Sequence, residues 1–362
     1  MALEFKGVSR LVEGRVHIHP TDITLQAGSM NVLLGPTLSG KTSLMRLMAG
    51  LDAPTSGRIL WNGADVTGMR VQDRKVAMVY QQFINYPAMS VYDNIASPMR
   101  LMGLSAAEID RAVRATADML KLTPMLQRKP LELSGGQQQR CALARALVKG
   151  ARLVLLDEPL ANLDYKLREE LRAEIPKIFE SSGAIFVYAT TEPEEALLLG
   201  GNTATLHQGR VTQFGPTPQV YRLPSDATTA AVFSDPPMNF LPVTKDRDRI
   251  HFGTSASVPA SGSFANIADG AYLAGFRANH LELHKQSDAA IELPCRLSVT
   301  EITGSETFLH LSHGDDRWVG LVHGVHHLDP GANVSVWLDP THVYLFNPSG
   351  ALAAPAAYAK AA

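Results

Sequence analysis

Hydrophobic and polar residues alternate at the start of the chain and then give way to short, fully apolar runs. Leu3, Phe5 and Val8 alternate with polar positions, which predicts a short antiparallel β piece within residues 1–30. The apolar runs that follow occupy residues 32–34, 76–80, 153–156 and 185–189. Because an all-apolar strand is buried on both faces, these runs predict a mostly parallel sheet covered by helices.

A helical period replaces the strand pattern between residues 87 and about 150. Ser105 and Glu108 have the spacing of a capping box, which marks the start of a helix. An apolar stripe at helical spacing follows it, made of Ile109, Val113, Ala117 and Leu120. This stretch predicts a helical subdomain inserted into the sheet domain.

The pattern changes again after Pro236-Pro237. Turns rich in Gly and Pro separate short β-like runs at residues 249–252, 271–276, 296–299, 308–311, 334–338 and 343–346. They predict a small all-β barrel. We therefore expect an α/β domain over residues 1–237, a β domain over 238–350, and a flexible Ala- and Pro-rich tail over 351–362.

Composition narrows the function classes. The net charge of the 362 residues is -2 and no long Lys/Arg block occurs, so nucleic acid is not an expected partner. Cys141 and Cys295 are far apart and indicate no disulfide framework. No run of 18 apolar residues occurs, so any membrane span that the function needs is expected from other chains.

A phosphate-binding loop connects the first apolar run to an apolar helical stripe. Residues 35–42 fit G-x-x-x-x-G-K-[ST], in the strand–loop–helix context that this motif requires. Backbone N–H groups there would hold a polyphosphate, Lys41 would reach its β/γ-phosphates, and the Thr42 hydroxyl would bind Mg²⁺. The nucleotide-binding residues predicted here are Gly35, Pro36, Thr37, Leu38, Ser39, Gly40, Lys41, Thr42 and Ser43. The loop alone does not indicate which class of protein uses it.

Four elements stand in a fixed order: the phosphate loop, Gln81, the LSGGQ sequence at residues 133–137, and LVLLDEP at residues 153–159. Together they resemble the ATPase subunits of ATP-binding-cassette (ABC) transporters over residues 1–235. The region after Pro237 resembles the accessory barrel of carbohydrate-importer ATPases. The resemblance implies an α/β P-loop cassette with an antiparallel β piece and a helical insertion, followed by a small OB-like barrel.

The resemblance also implies chemical roles. Asp157 and Gln81 would join Thr42 at Mg²⁺, and Glu158 would be the general base for the water that attacks ATP. Gln81 would also sense the γ-phosphate. The signature residues would cap the nucleotide of a second subunit; they are Leu133, Ser134, Gly135, Gly136 and Gln137.

Partners follow from the same resemblance. A second ABC ATPase subunit would complete two composite sites, and residues 162–164 would touch it. Membrane-spanning permease subunits would bind the region Gln81–Leu101. For Phe83 the alternative interpretation is that the side chain packs in the hydrophobic core. A periplasmic or surface substrate-binding protein would act indirectly, and the chain would lie at the cytoplasmic face of the membrane.

Three positions depart from the family pattern. Leu38 stands where importer ATPases usually carry glycine, and Val12 stands where an aromatic residue usually stacks on adenine. Thr191 stands at the position of the histidine that contacts the γ-phosphate, so this catalytic position is degenerate. Loss of such a contact commonly slows the reaction by orders of magnitude.

Two interpretations of Thr191 are open. Either Thr191 or a neighbour substitutes and the chain forms a homodimer, or the chain pairs with a different, histidine-bearing ATPase in an asymmetric heterodimer. The asymmetric heterodimer is favoured because the LSGGQ signature is intact while the histidine position is not. Among importers the motifs most resemble glycerol or glycerol-3-phosphate import subunits, and another sugar is the alternative.

Other function classes compete with an importer ATPase. A regulatory nucleotide-binding subunit with little hydrolysis is favoured by Thr191 and opposed by Glu158. A DNA-repair or translation cassette would need coiled-coil insertions or two cassettes, and an exporter half would need membrane spans. His17 and His19 are interpreted as a partly exposed strand rather than as metal ligands, because no acidic or Cys partner is near in sequence.

Overall fold

The computed structural model describes the chain except Phe83, Asn162, Thr254, Ser255, Ala361 and Ala362. The chain divides into two compact units, Met1–Thr217 and Pro218–Ala362. Each unit has its own hydrophobic core.

The first unit is an α/β domain. Its described strands are β1 (Ala2–Val12), β2 (Arg15–Gln26), β3 (Met30–Leu34), β4 (Ser56–Trp61), β5 (Ala64–Asp65), β6 (Val76–Val79), β7 (Leu153–Asp157), β8 (Ile185–Thr190), β9 (Asn202–His207) and β10 (Arg210–Pro216). Its described α-helices are α1 (Lys41–Ala49), α2 (Val91–Leu101), α3 (Ala106–Met119), α4 (Gly135–Leu147), α5 (Tyr165–Ser182) and α6 (Pro193–Leu199).

The central sheet has the strand order β10-β9-β3-β8-β7-β6. Every described pairing in it is parallel except that of β9 with β10. Every residue of β3, β7 and β8 is buried, which confirms the parallel, helix-covered sheet predicted from the all-apolar runs. Because β3, β6, β7 and β8 run in the same direction, the loops that carry the predicted site residues leave the same edge of the sheet.

A four-stranded antiparallel sheet, β2-β1-β4-β5, packs in the core of the same unit. The hairpin between β1 and β2 turns at Glu13 and Gly14, whose φ angles are 51° and 76°. Two consecutive positive φ angles are typical of the tight turn that suits the right-handed twist of paired strands. The turn places Val12 directly opposite Arg15.

Helices α2, α3 and α4 form the predicted helical region. The Ser105 side chain and the Glu108 side chain make both bonds of a capping box at the start of α3, as predicted. Ile109, Val113 and Ala117 form its buried stripe. The insertion is therefore held by one apolar helix face and a defined helix start.

The second unit begins within α7 (Thr217–Arg222) and continues with α8 (Ala227–Val232). Its described strands are β11 (Asn239–Asp246), β12 (Arg249–Phe252), β13 (Ala256–Pro259), β14 (Gly270–Phe276), β15 (Leu281–Glu282), β16 (Ile291–Ile302), β17 (Glu306–His313), β18 (Asp316–His323), β19 (Asn333–Leu338), β20 (Tyr344–Phe346) and β21 (Leu352–Ala354).

These strands form two antiparallel sheets, β13-β12-β11-β14-β20-β21 and β15-β19-β16-β17-β18, around one core. Trp318, 2% exposed, lies in this core and donates a hydrogen bond from Nε1 to the Phe240 carbonyl at 3.0 Å. The small all-β barrel predicted from the turn-separated runs is confirmed.

The division between the units lies ahead of the predicted boundary near Pro237. The Arg277 guanidinium donates to the carbonyl of Phe233 at 2.9 Å and to that of Tyr221 at 2.8 Å. The Tyr344 hydroxyl donates to the carbonyl of Arg222 at 3.1 Å. These bonds attach the residues after Pro218 to the barrel, so the second unit begins earlier than the β pattern indicates.

The flexible tail expected over residues 351–362 is wrong for its described part. Strand β21 pairs with β20, and Ala354 and Ala356 are fully buried. The Tyr358 hydroxyl lies 2.8 Å from that of Tyr344. Small alanine side chains allow close packing here, so an Ala-rich composition marks a packed segment and not a loose one.

Removing the Tyr358 side chain is therefore expected to destabilise the second unit. Tyr358→Ala should lower the free energy of unfolding by about 2–3 kcal/mol, because a large ring leaves a cavity. Tyr358→Phe, the matched control, keeps the ring and should cost about 1 kcal/mol, the value of one hydrogen bond. Chemical denaturation of the full chain measures both, and a Tyr358→Ala midpoint equal to that of wild type contradicts the packed tail.

Candidate functional site

The loop between β3 and α1 leaves backbone N–H groups available for an anion. Helix α1 begins after Gly40, which has φ 105° and provides no side-chain cap. The first N–H groups of a helix need a partner, and a phosphate supplies one. At the other end of the loop, a Cβ on Gly35 would lie 2.4 Å from the Leu206 carbonyl oxygen, so only glycine fits there.

Lys41 lies almost completely buried at the first position of α1. Its Nζ donates to the carbonyls of Gly35 at 2.7 Å and Pro36 at 3.1 Å, and it lies 3.7 Å from Oε1 of Glu158. Burial lowers the pKa of Lys41, and the carboxylates of Glu158 and Asp157 oppose that shift. The ammonium group is therefore held by polar partners at the loop, where a phosphate could exchange with them.

Thr42 and Asp157, the two oxygen donors predicted to bind Mg²⁺, lie in direct contact. The Thr42 hydroxyl donates to Oδ2 of Asp157 at 2.7 Å, although Thr42 lies in the first turn of α1 and Asp157 ends β7. Burial raises the pKa of Asp157, whereas the hydrogen bond from Thr42 and the charge of Lys41 lower it. Two adjacent hard oxygen donors fit Mg²⁺, which prefers oxygen ligands and one or two carboxylates.

Glu158, the predicted general base, is joined to Gln81. The Gln81 amide donates from Nε2 to Oε2 of Glu158 at 2.9 Å. The backbone of Glu158 has φ 47°, and its N–H donates to the Ala189 carbonyl at 3.0 Å. A side chain at positive φ costs about 1 kcal/mol, and such strain is concentrated at functional positions. The strained turn directs this carboxylate toward Lys41 and Gln81.

A cavity of about 560 Å³ lies over the loop, within the size range of small-molecule sites. Its lining contains most of the predicted loop residues together with Gln81 and Glu158. The lining residues are Arg15, Val16, His17, Thr37, Leu38, Ser39, Gly40, Lys41, Thr42, Ser43, Gln81, Glu158, Gln208 and Gly209.

Five of the lining residues were not predicted: Arg15, Val16, His17, Gln208 and Gly209. They reach the cavity because the turn at Gln208-Gly209 connects strand β2 to the phosphate loop. The Gly209 N–H donates to the Ser39 carbonyl and its carbonyl accepts from the His19 N–H, both at 2.9 Å. The Gln-Gly pair in the sequence signals a turn, but only tertiary pairing shows what the turn approaches.

Leu38 is exposed in the loop and adopts a left-handed backbone. Its φ is 67° and its side chain is 95% exposed. This is the position where glycine was the expected residue, and glycine adopts positive φ at no steric cost. The loop keeps its form with leucine at a modest cost in strain.

Thr191 follows β8 and is exposed, but it does not line the cavity. The segment around it is held by a buried carboxylate: the Thr190 hydroxyl donates to Oε2 of Glu195 at 2.6 Å. Arg168 of α5 pairs with both Glu192 and Glu195. The structure therefore fixes the backbone at this position without bringing Thr191 to the loop.

The signature residues lie at the start of helix α4, apart from the cavity lining, and Leu133 among them is buried. Ser134 and Gln137 make both bonds of a capping box, at 3.3 and 3.1 Å, and Ser134 and Gly135 are exposed. Gln139, not predicted, is 2% exposed and donates to the Pro159 carbonyl. This buried amide attaches the signature helix to the loop that follows Glu158.

Exposed apolar side chains surround a second cavity, of about 440 Å³, next to α2. Leu101 is 90% exposed and Ile84 62%, and the Arg145 guanidinium lies 4.8 Å from the Tyr86 ring centre. The predicted partner contacts at Phe83 and at Asn162 lie outside the described residues. None of the described helices is long and apolar enough to cross a membrane.

Comparison with known proteins agrees with this geometry. A family model described as ABC transporter matches residues 18–161, and a TOBE domain model matches residues 274–346. The chain is 33% identical to the sn-glycerol-3-phosphate import ATP-binding protein of Cupriavidus pinatubonensis, over 95% of this chain and 97% of that protein. It is 34% identical to the trehalose/maltose import ATP-binding protein of Thermococcus litoralis, over 91% and 93%.

Solved structures give the same result for the first unit. A dimeric post-hydrolysis structure of an ATP-binding cassette bound to ADP and Pi superposes with a TM-score of 0.54 at 26% identity, covering 59% of this chain and 98% of that one. The chain therefore belongs to the ABC transporter family as an import ATPase of the carbohydrate-importer type, which binds ATP with Mg²⁺ and hydrolyses it.

Proposed function

We propose that this chain supplies ATP hydrolysis to a bacterial importer of a polyol or sugar, with glycerol or glycerol-3-phosphate as the cargo. The observation that carries the site assignment is the meeting of Thr42 with Asp157 and of Gln81 with Glu158 beside Lys41. The cargo is supported only by relatives, which are named for sn-glycerol-3-phosphate and for trehalose or maltose.

The residues divide the work of phosphoryl transfer, which needs mainly positioning and charge neutralisation. The loop amides and Lys41 hold the phosphates of ATP, and Thr42 and Asp157 hold Mg²⁺, which neutralises phosphate charge. Glu158 orients the attacking water and accepts its proton. Gln81, bonded to Glu158, keeps that carboxylate directed toward the cavity.

The signature is proposed to act on the nucleotide of a partner subunit. Ser134 and Gly135 are exposed and do not line this chain's own cavity, so their helix start is free to meet another surface. The similar solved cassettes are dimeric. We propose a head-to-tail dimer with two composite sites.

Thr191 favours an asymmetric pair. A threonine offers one hydrogen bond, no charge and a short reach, and here it does not line the cavity. We propose that this chain hydrolyses ATP slowly at its own loop, while its intact signature completes a fast site on a different ATPase that carries the histidine. A homodimer is the alternative arrangement, and a regulatory nucleotide-binding subunit with little hydrolysis is the alternative function.

The apolar surface around α2 is proposed to bind the membrane-spanning permease. Ile84, Leu101 and Met102 are exposed there beside the Arg145–Tyr86 contact, and apolar patches of this kind mark interaction sites. Gln81 lies at the start of the same segment and donates a hydrogen bond to Glu158, so a permease bound here would be connected to the proposed base through one side chain. The chain would lie at the cytoplasmic face of the membrane, with a substrate-binding protein acting on the other side.

Substitution of Lys41 tests the assignment of the nucleotide site. Lys41→Ala should weaken Mg²⁺-ATP binding by up to about a hundredfold, since a charge-assisted bond is worth up to about 3 kcal/mol. Glu158→Gln should leave affinity near that of wild type, because it affects the base and not the phosphate contacts. Calorimetry on the full chain measures both affinities.

The control for that experiment is Lys6→Ala, which removes an exposed lysine from β1. Its affinity should equal that of wild type. Unchanged affinity of Lys41→Ala for ATP would contradict the site assignment, whatever the turnover of the assembled complex.

A pair of substitutions in the assembled transporter tests the asymmetry. Ser134→Arg should reduce ATP turnover by about a hundredfold, the effect of losing a transition-state contact, because it disrupts the fast site across the interface. Glu158→Gln in this chain should cost far less, because it affects the slow site. Steady-state turnover of the purified complex measures both.

Ser105→Arg is the matched control, because Ser105 makes the same capping box at the start of α3. It should cost about 1 kcal/mol of stability and leave turnover unchanged. If Glu158→Gln proves as damaging as Ser134→Arg, the two sites are equivalent and the asymmetric arrangement is wrong.

A further inference from the structure

The end of the β1–β2 hairpin borders the nucleotide cavity with a cation and an imidazole. Arg15 and His17 line the cavity, whereas Val12, which pairs directly with Arg15, does not. Side chains of a directly opposed pair lie on the same face of a sheet, about 5 Å apart. The place where an aromatic ring from β1 was expected therefore holds a valine beside an arginine.

Arg15 and His17 lie at the end of the cavity away from the phosphate-binding residues, where the base of a bound nucleotide would be. Lys41 and Thr42 lie next to Glu158 and Asp157 on one side of the loop. On the other side, a Cβ on Gly40 would lie 3.4 Å from the His17 carbonyl oxygen, so β2 runs close to the loop backbone. A nucleotide whose γ-phosphate faces Glu158 would extend its base toward β2.

The two side chains suit a base. Within the part of the chain that the structure describes, neither Arg15 nor His17 has a side-chain hydrogen bond or ion pair, and both are exposed. An arginine guanidinium is planar and stacks on aromatic faces, and it is weakly hydrated for a cation. Stacking of this type holds bases against proteins without reading their sequence.

We propose that Arg15 and His17 hold the adenine base of ATP from β2, in place of an aromatic residue on β1. Arg15 stacks on the ring and His17 borders it next to the loop. This inference rests on the proposed function, in which the phosphates occupy residues 35–43.

The test compares two ligands on the full chain by calorimetry: Mg²⁺-ATP and inorganic Mg²⁺-tripolyphosphate, which has no base. Arg15→Ala should weaken ATP binding about tenfold, the cost of one lost base stack, and should change tripolyphosphate binding much less. His17→Ala should act in the same direction. Arg58→Ala, on the exposed part of β4, is the control and should leave both affinities unchanged.

Two further variants separate stacking from charge. Arg15→Lys keeps the positive charge but replaces the planar guanidinium, which stacks, with an ammonium group, which does not. Its ATP affinity should therefore stay near that of Arg15→Ala. Val12→Tyr in the Arg15→Ala background supplies a ring on the same sheet face and should restore ATP affinity.

The outcomes are distinguishable. If Arg15→Ala and His17→Ala leave the ratio of ATP to tripolyphosphate affinity at the wild-type value, the base is held elsewhere and the inference is wrong. Full recovery with Arg15→Lys also overturns it, because the role is then electrostatic. If the wild-type chain binds neither ligand, the proposed function itself fails.

Discussion

The hydrogen bond from Thr42 to Asp157 joins the phosphate loop to the strand end that carries the proposed metal ligand and base. The Thr42 hydroxyl reaches Asp157 at 2.7 Å across the end of β8, which lies between β3 and β7 in the sheet. This contact is possible only because β3, β8 and β7 are parallel and end together. The phosphate loop, the metal-binding carboxylate and the base are thus placed by the order of three buried strands.

Buried charge is the second constraint on this edge. Burial raises the pKa of Asp157 and lowers the pKa of Lys41, so both groups are disfavoured in their charged forms. The Thr42 hydrogen bond and the charge of Lys41 oppose the shift of Asp157, and the carboxylates of Glu158 and Asp157 oppose the shift of Lys41. Groups held in this way gain from additional opposite charges, which a polyphosphate offers to Lys41 and a metal ion offers to Asp157.

Much of this could be predicted because the signals are local. The loop motif needs glycine at fixed positions, and all-apolar strands identify a parallel core, so the roles of Lys41 and Thr42 followed from the residues alone. The roles of Asp157, Glu158 and Gln81 followed from family resemblance. The signature and the barrel were also expected, since each has a short sequence pattern, whereas the hydrogen bond from Gln81 to Glu158 was not predicted.

The remaining features depend on tertiary contacts that no local pattern encodes. Arg15 and His17 lie on a strand that reads as an exposed edge, and only the turn at Gly209 brings it to the loop. The bond from Gln139 to Pro159 joins residues on different elements. The tail was misread because alanine suits both loose and closely packed segments, and its packing is decided by Tyr358 and Tyr344.

The central claim is that this chain has a competent phosphate loop, metal site and base, and that its own turnover is limited by the residue at position 191. Restoring the family residue tests this most directly: the ATPase rate of the purified chain is measured with and without Thr191→His, at saturating Mg²⁺-ATP. Because a transition-state contact is regained, the rate should rise by about tenfold or more. An unchanged or lower rate with ATP affinity intact would contradict the claim.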